Sequence, residues 1–336
     1  MKKLVSAILI LGIIVFAYLI GPKPSPPDLD KKYSFNFPTD LIELEETIAQ
    51  KENQIPNIKA GNEAKFVWND SIPQKTKTSF VYIHGFSASH VEGNPVHENL
   101  AKEFGGNLYL ARLASHGIDT GDETMADLTA DALIASAEEA IQIGKLIGDE
   151  VVIIATSAGG ALTTYLASKH PELKAILLYS PCIKVYDENA ELLDNHWGLK
   201  MAQTIQGKDF NDITPKNETQ PLYWSMHYRL EALVALQNFL THAMNKDNFE
   251  KVKVPTFMAY YYENEENQDK VVSVPAMLEM WEQLGTPVDK KVKIALPTTR
   301  DHVIASYVMS EDWGIVQKES IAFLKRIVGL KPNSKM

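Results

Sequence analysis

Four β-branched residues, Val151-Val152-Ile153-Ile154, run without a polar interruption into Ala155-Thr156-Ser157-Ala158-Gly159, and a helical pattern follows at once over 159–169. A strand that is apolar on both faces must be covered on both faces, which is the position of a central strand in a parallel sheet. Parallel neighbours need crossover connections, normally helices, so this one segment predicts repeated strand–helix units. The abrupt turn adds a second constraint. The positions two before and two after its serine must be small for the chain to reverse, and they are Ala155 and Gly159.

The rest of the chain repeats that alternation. Strands are expected at Phe66–Trp68, Phe80–Ile83, Leu108–Leu110, Ala175–Tyr179, Val254–Tyr262 and 291–296. Helices are expected over 95–104, 125–147, 275–284 and 312–328, and the spacing of Leu41, Ile42, Leu44 and Ile48 predicts a short amphipathic helix over 40–52. Residues 183–250 break the pattern: they read as helical, rich in aromatics and without strong strand signals. The fold class is therefore α/β, a mostly parallel central sheet flanked by helices, formed by 64–182 and 251–330, with 183–250 inserted as a helical cap over the carboxyl edge of the sheet.

The N-terminus is of another character. Lys2 and Lys3 precede an uncharged run from Leu4 to Ile20. At about 1.5 Å per residue, that run is just long enough to span a bilayer core. Residues 1–21 are read as a signal anchor or a cleaved signal peptide, Val15-Phe16-Ala17 being a weak cleavage match, and the folded body is expected outside the cytoplasm, at the membrane or exported. Residues 22–63 follow as a spacer and lead helix; Pro22, Pro24, Pro26 and Pro27 predict a stiff extended stretch that holds the body off a membrane. The formal net charge of −10 argues against a nucleic-acid partner. The single cysteine, Cys182, excludes an internal disulfide and a cysteine metal cluster.

Ser157 on a tight strand-to-helix turn is a candidate nucleophile, although an ordinary helix N-cap serine would look the same. His84-Gly85-Phe86 ends an earlier strand at the same edge, so the backbone amides of Phe86 and Ala158 are candidates for an oxyanion hole. Among the nine histidines, His302 lies in a polar loop after the last strand, where the base of such a site belongs in chain order. The acid is expected after the penultimate strand. Asp269, before Val271-Val272, is favoured; Glu263, Glu265 and Glu266 read as a solvated charge run, and Asp301 is a rival. The histidines show no His-Glu-x-x-His spacing, so no metal is expected, and no cofactor is implied.

With these residues in this order, the chain from about 64 to 328 resembles the α/β-hydrolase superfamily, especially its lysophospholipase and monoacylglycerol-lipase-like serine hydrolases. Leu113-Ala114-Ser115-His116-Gly117 is similar to the turn where that family often carries Pro-Gly-His-Gly, which implies a structural role for His116. Ala155 stands where a glycine is usual. The resemblance implies a serine hydrolase of carboxylic esters, lipid-like ones above all. Ser157, Asp269 and His302 would form its triad. Most aromatic and methionine residues of the cap read as helix core and the remainder as lining of an apolar acyl pocket, with Trp197 and Trp224 as candidates. A peptidase or amidase on the same triad, and an inactive binding protein on the same fold, are the alternatives.

Overall fold

The computed structural model describes residues 2–333; Met1 of the expected N-terminal segment and residues 334–336 lie outside them. In chain order the strands are β1 (Lys65–Val67), β2 (Thr76–Ile83), β3 (Asn107–Leu110), β4 (Gly148–Thr156), β5 (Ala175–Tyr179), β6 (Phe210–Asp212), β7 (His227–Arg229), β8 (Thr256–Tyr260) and β9 (Lys291–Ala295). The helices are α1 (Lys2–Leu19), α2 (Leu41–Asn53), α3 (Val96–Phe104), α4 (Ala130–Ile147), α5 (Ser157–Ala167), α6 (Gly198–Gln206), α7 (Gln220–Tyr223), α8 (Leu230–Ala243), α9 (Lys246–Phe249), α10 (Val274–Gln283) and α11 (Trp313–Phe323).

The central sheet runs β1-β3-β2-β4-β5-β8-β9, parallel throughout except for the antiparallel edge strand β1. Its side chains alternate between two cores, as strand geometry requires. Val81, Ile83, Ile153 and Ala155 face one core; Phe80, Tyr82, Val152 and Ile154 face the other. The apolar run in β4 is therefore buried on both sides, as its composition demands. Register then aligns the strand ends. Ile83 pairs with Ala155, Thr156 with Tyr179, Tyr179 with Ala259, and Tyr260 with Ala295. Every loop that carries a candidate residue thus leaves the sheet at one level and on one edge.

Three expectations are corrected. Residues 125–129 are not helical; Thr129, whose hydroxyl accepts from the Ala132 amide, starts α4 at Ala130. The insertion is not all helix: β6 and β7 form a two-stranded ribbon, too short to leave a periodic signal. Nor does the insertion lie wholly over the carboxyl edge. Phe239 of α8 is fully buried and meets the Tyr165 ring of α5 edge-on, with ring centroids 6.0 Å apart, so α8 belongs to a core face.

The proline-rich segment forms neither helix nor strand, and the chain that follows it lies along the body. Tyr165 donates its hydroxyl hydrogen to the Leu29 carbonyl at 2.6 Å, and Leu29, Tyr33 and Phe37 pack against the core. Leu29 sits in a turn, with its amide on the Pro27 carbonyl at 3.1 Å, and its own carbonyl is taken up by that donor on the body. Helix α1 forms over the expected apolar run with most of its described side chains exposed. It is also tied to the insertion: the Trp197 indole N–H donates to the Ala17 carbonyl at 3.1 Å, and the Trp197 backbone N–H to the Pro22 carbonyl at 2.7 Å. Among the described residues no helix is long and apolar enough to cross a membrane.

Helix α2 is fastened by a buried ion pair. Arg112 Nε and Nη2 donate to the two carboxylate oxygens of Glu52 at 2.6 and 3.0 Å, and Glu52 also accepts from the Ala64 amide at 2.9 Å. Both side chains are almost fully buried, so losing either partner strands a charge away from water. Arg112→Met is expected to lower unfolding free energy by about 3–5 kcal/mol. Pairing it with Glu52→Leu should recover most of that loss. Urea unfolding of the single and double variants measures both.

Candidate active site

Ser157 is the first residue of α5, and its φ of +53° puts it in the left-handed region. For a residue with a Cβ this costs on the order of 1–3 kcal/mol, so its surroundings must enforce it. They do so by close approach. A Cβ on Gly159 would sit 2.2 Å from the Ile83 carbonyl oxygen and 2.5 Å from that of His84, so only glycine lets the first turn of α5 pack on the end of β2. On the other side the Cys182 amide donates to the Ser157 carbonyl at 2.9 Å. Thr156 provides no side-chain cap, which leaves the first amides of α5 to favour negative charge at this turn.

Asp269 and His302 meet across the same edge. His302 Nδ1 and Asp269 Oδ2 are 2.6 Å apart, with the aspartate side chain fully buried and the imidazole 9% exposed. The other carboxylate oxygen, Oδ1, accepts from the amides of Val271 and Val272 at 2.9 and 3.1 Å. Burial opposes ionisation of Asp269, but the His302 charge and hydrogen bond and those two amides outweigh it and hold the carboxyl below its usual range. Burial would likewise lower the His302 pKa; the charge and hydrogen bond of Asp269, with Glu92 and Asp301 adding to them, raise it above 6.5 instead. The result is a buried imidazole set up to take a proton.

Asp301 turns away from this pair. It binds Lys216 of the insertion at 2.5 Å through Oδ2 and accepts from the Val303 amide through Oδ1. Glu263, Glu265 and Glu266 stay on the exposed loop before Asp269.

The turn after β2 is fixed from several directions. Leu113 donates its amide hydrogen to His84 Nε2 at 3.0 Å, so His84 carries its proton on Nδ1 and gives it to the Gly85 carbonyl at 2.8 Å. His84 is buried and its pKa lies well below normal, chiefly through desolvation. It is a strut between two strand ends. The Phe86 ring stands edge-on to His116 and to Tyr228 of β7, with centroids 5.6 and 5.4 Å apart. His116 bonds the Ala114 carbonyl through Nδ1, and burial pushes its pKa down to about 4, in keeping with the structural role implied for it.

Glu92 was not singled out in the sequence. It lies in the short turn His90–Gly93 and takes the Gly85 amide hydrogen at 2.5 Å. Its neighbours His90, Val91 and Gly93 form no periodic pattern, and nothing local marks the glutamate as buried.

The insertion contributes unequally. Trp224 packs with Ala88 and Val303, next to the loops that carry Phe86 and His302, whereas Trp197 is occupied with the end of α1. An apolar cavity of about 540 Å³ within the insertion is lined by Leu193, Met201, Ile205, Leu230, Leu233 and Leu236 rather than by Ser157. The expected acyl pocket is not that cavity, and Ser157 itself is only 7% exposed. Cys182 is buried with its thiol pKa pushed up to about 12, mainly by desolvation, and is inert. Among the described residues no group of three or more His, Cys, Asp or Glu is placed to hold a metal ion.

No family model matches the chain. A thermostable monoacylglycerol lipase of Bacillus sp. (strain H-257) is 32% identical over 103 residues, which are 31% of this chain and 40% of that protein. The match thus spans less than half the length of that curated relative. Solved structures agree over much more of the chain. One from a study of two metagenome-derived lipolytic enzymes, LipS and LipT, covers 80% of this chain and 100% of its own, at 20% identity and a TM-score of 0.64. A monoacylglycerol lipase of Paleococcus ferrophilus covers 80% of this chain and 98% of its own, at 12% identity and a TM-score of 0.56.

The buried histidines make the electrostatics testable without any substrate. His302 is expected to titrate above 6.5 in a ring NMR titration, while His90, His97 and His116, held by burial at about 4, 3 and 4, stay neutral from pH 5 to 8. Asp269→Asn removes the main charge that raises His302, so the His302 inflection should move to lower pH. An unmoved inflection would show that another group sets it.

Proposed function

We propose that this chain, which has the α/β-hydrolase fold, is a serine hydrolase of carboxylic esters. The observation that carries the reading is the Asp269–His302 pair, 2.6 Å across, at the edge where Ser157 is held in a left-handed turn. In this reading Ser157 Oγ attacks the acyl carbon as His302 takes its proton. Asp269 keeps the imidazole oriented and stabilises its cation. Charge developing on the carbonyl oxygen is held by the amides of Phe86 and Ala158, each such donor being worth about 3–4 kcal/mol in comparable enzymes. His302 returns the proton to the departing alcohol, and water, activated by the same imidazole, then releases the acid.

Lipid-like esters are the favoured substrates. The curated relative and one of the structural neighbours are named as monoacylglycerol lipases, and Phe86, Trp224 and Tyr228 put apolar surface beside the loops of the site. We also propose that α1, whose exposed apolar side chains include Leu4, Ile8, Leu11, Phe16 and Leu19, is a leader or a surface anchor that takes the body to the membrane or out of the cytoplasm. N-terminal sequencing of the mature protein separates the two roles.

A fluorophosphonate probe should label the wild-type protein and not Ser157→Ala, whose circular dichroism should be unchanged. Near-normal ester turnover by folded Ser157→Ala would overturn the mechanism. Asp269→Asn is expected to lower kcat by about 10⁴ and Asp301→Asn far less. Each buried acyl methylene contributes about 0.8 kcal/mol, so kcat/KM should climb roughly fourfold per methylene from acetyl to medium-chain p-nitrophenyl esters. A preference for acetyl throughout the series would point to a small-acyl esterase.

A further inference from the structure

The reaction proposed above leaves one buried acid at the site without a task. Glu92 is 2% exposed, and among the described residues no lysine or arginine pairs with it. Its Oε2 accepts the Gly85 amide hydrogen at 2.5 Å and lies 3.4 Å from the Tyr82 hydroxyl. That hydroxyl is 2.9 Å from Thr156 Oγ1, the side chain immediately before Ser157. A Cβ on Gly85 would lie 2.7 Å from Glu92 Oε1 and 2.9 Å from Ser157 Cβ, so the carboxylate and the serine side chain crowd the same glycine.

A neutral acceptor such as glutamine would hold the Gly85 amide without the cost of burying a charge. The position carries an acid instead, packed on the glycine that also abuts the Ser157 side chain. We propose that Glu92 is a positioning residue of the Ser157 site, a second anion beside Asp269 that strengthens His302 as a base while pinning the Gly85–Phe86 turn.

The inference rests on the serine-hydrolase reading. Burial pushes the Glu92 pKa up to about 7, against the lowering effects of the Gly85 amide, the His302 charge and Tyr82, with Asp301 raising it further. The charge of each bears on the titration of the other, so Glu92 and His302 are coupled. The other groups in this field are accounted for. Asp269 is bonded to His302, and Asp301 to Lys216 of the insertion. His90, on the same turn as Glu92, and His97 of α3 are kept neutral by burial. When Glu92 is ionised it favours the imidazolium; without it His302 is a weaker base with a lower pKa.

Glu92→Gln keeps the volume and an acceptor for Gly85 and removes only the charge. On a small p-nitrophenyl ester, kcat/KM at its plateau should fall about tenfold or more, and the acid limb of its pH profile should move down by about one unit. Glu92→Asp, which keeps the charge, should leave the acid limb near its wild-type position. A folded Glu92→Gln with a wild-type acid limb overturns the proposal. Fluorophosphonate labelling separates the two readings. A wild-type protein that fails to label rejects the hydrolase itself, whereas a labelled Glu92→Gln with an unshifted acid limb rejects only the role of Glu92.

Discussion

At Gly159 the first turn of α5 comes so near β2 that an added methyl would overlap the carbonyl oxygens of Ile83 and His84. This approach closes the turn at Ser157 and bends its backbone to a φ of +53°. It also brings Gly85 against the serine side chain, on the face of that glycine where the Glu92 carboxylate sits as well. The positions of Phe86, Ala158 and Glu92 all depend on it. A strained serine backbone is stable here because the two strands beneath it are paired residue for residue, Ile83 opposite Ala155, and cannot slip without moving both cores.

Most of this frame is legible in the sequence because it follows from periodicity. The apolar run in β4, the small residues around Ser157 and the regular return of strands specify a covered parallel sheet, and the register of that sheet delivers the loops to one edge. What escapes is governed by contacts between distant segments. The ribbon β6–β7 consists of two three-residue strands that stabilise each other, and neither shows a pattern alone. The antiparallel direction of β1 is set by pairing with β3. Trp197 has the composition of a pocket residue, but its indole is drawn off by a carbonyl of α1 far away in the chain. Glu92 escapes for the same reason: its partners are Gly85 and Tyr82 of another element, and its own neighbours in sequence say nothing of it.

The histidines show how little residue type alone decides. His170 pairs with Glu138 and Glu172, and His227 with Asp212 and Asp122, so a histidine–carboxylate pair is common in this molecule. Those pairs are partly solvated and their attraction is screened. The Asp269–His302 pair is dry, and its acid is further held by two backbone amides. Chain order pointed to His302; burial and the edge of the sheet are what give the position chemical meaning.

The strand order also sets a schedule. Ser157, its close neighbour Gly85 and the Glu92 turn belong to strands β2 and β4, made in the first half of the chain, while His302 comes after β9, the outermost strand. Ser157 and His302 are about 145 residues apart, roughly 7–30 s of ribosomal synthesis at about 5–20 residues per second. A nascent chain therefore contains Ser157 long before His302 is added, and a product ended before β9 would carry the serine without the imidazole. The two residues that the proposed chemistry needs are thus both present only when synthesis nears its end.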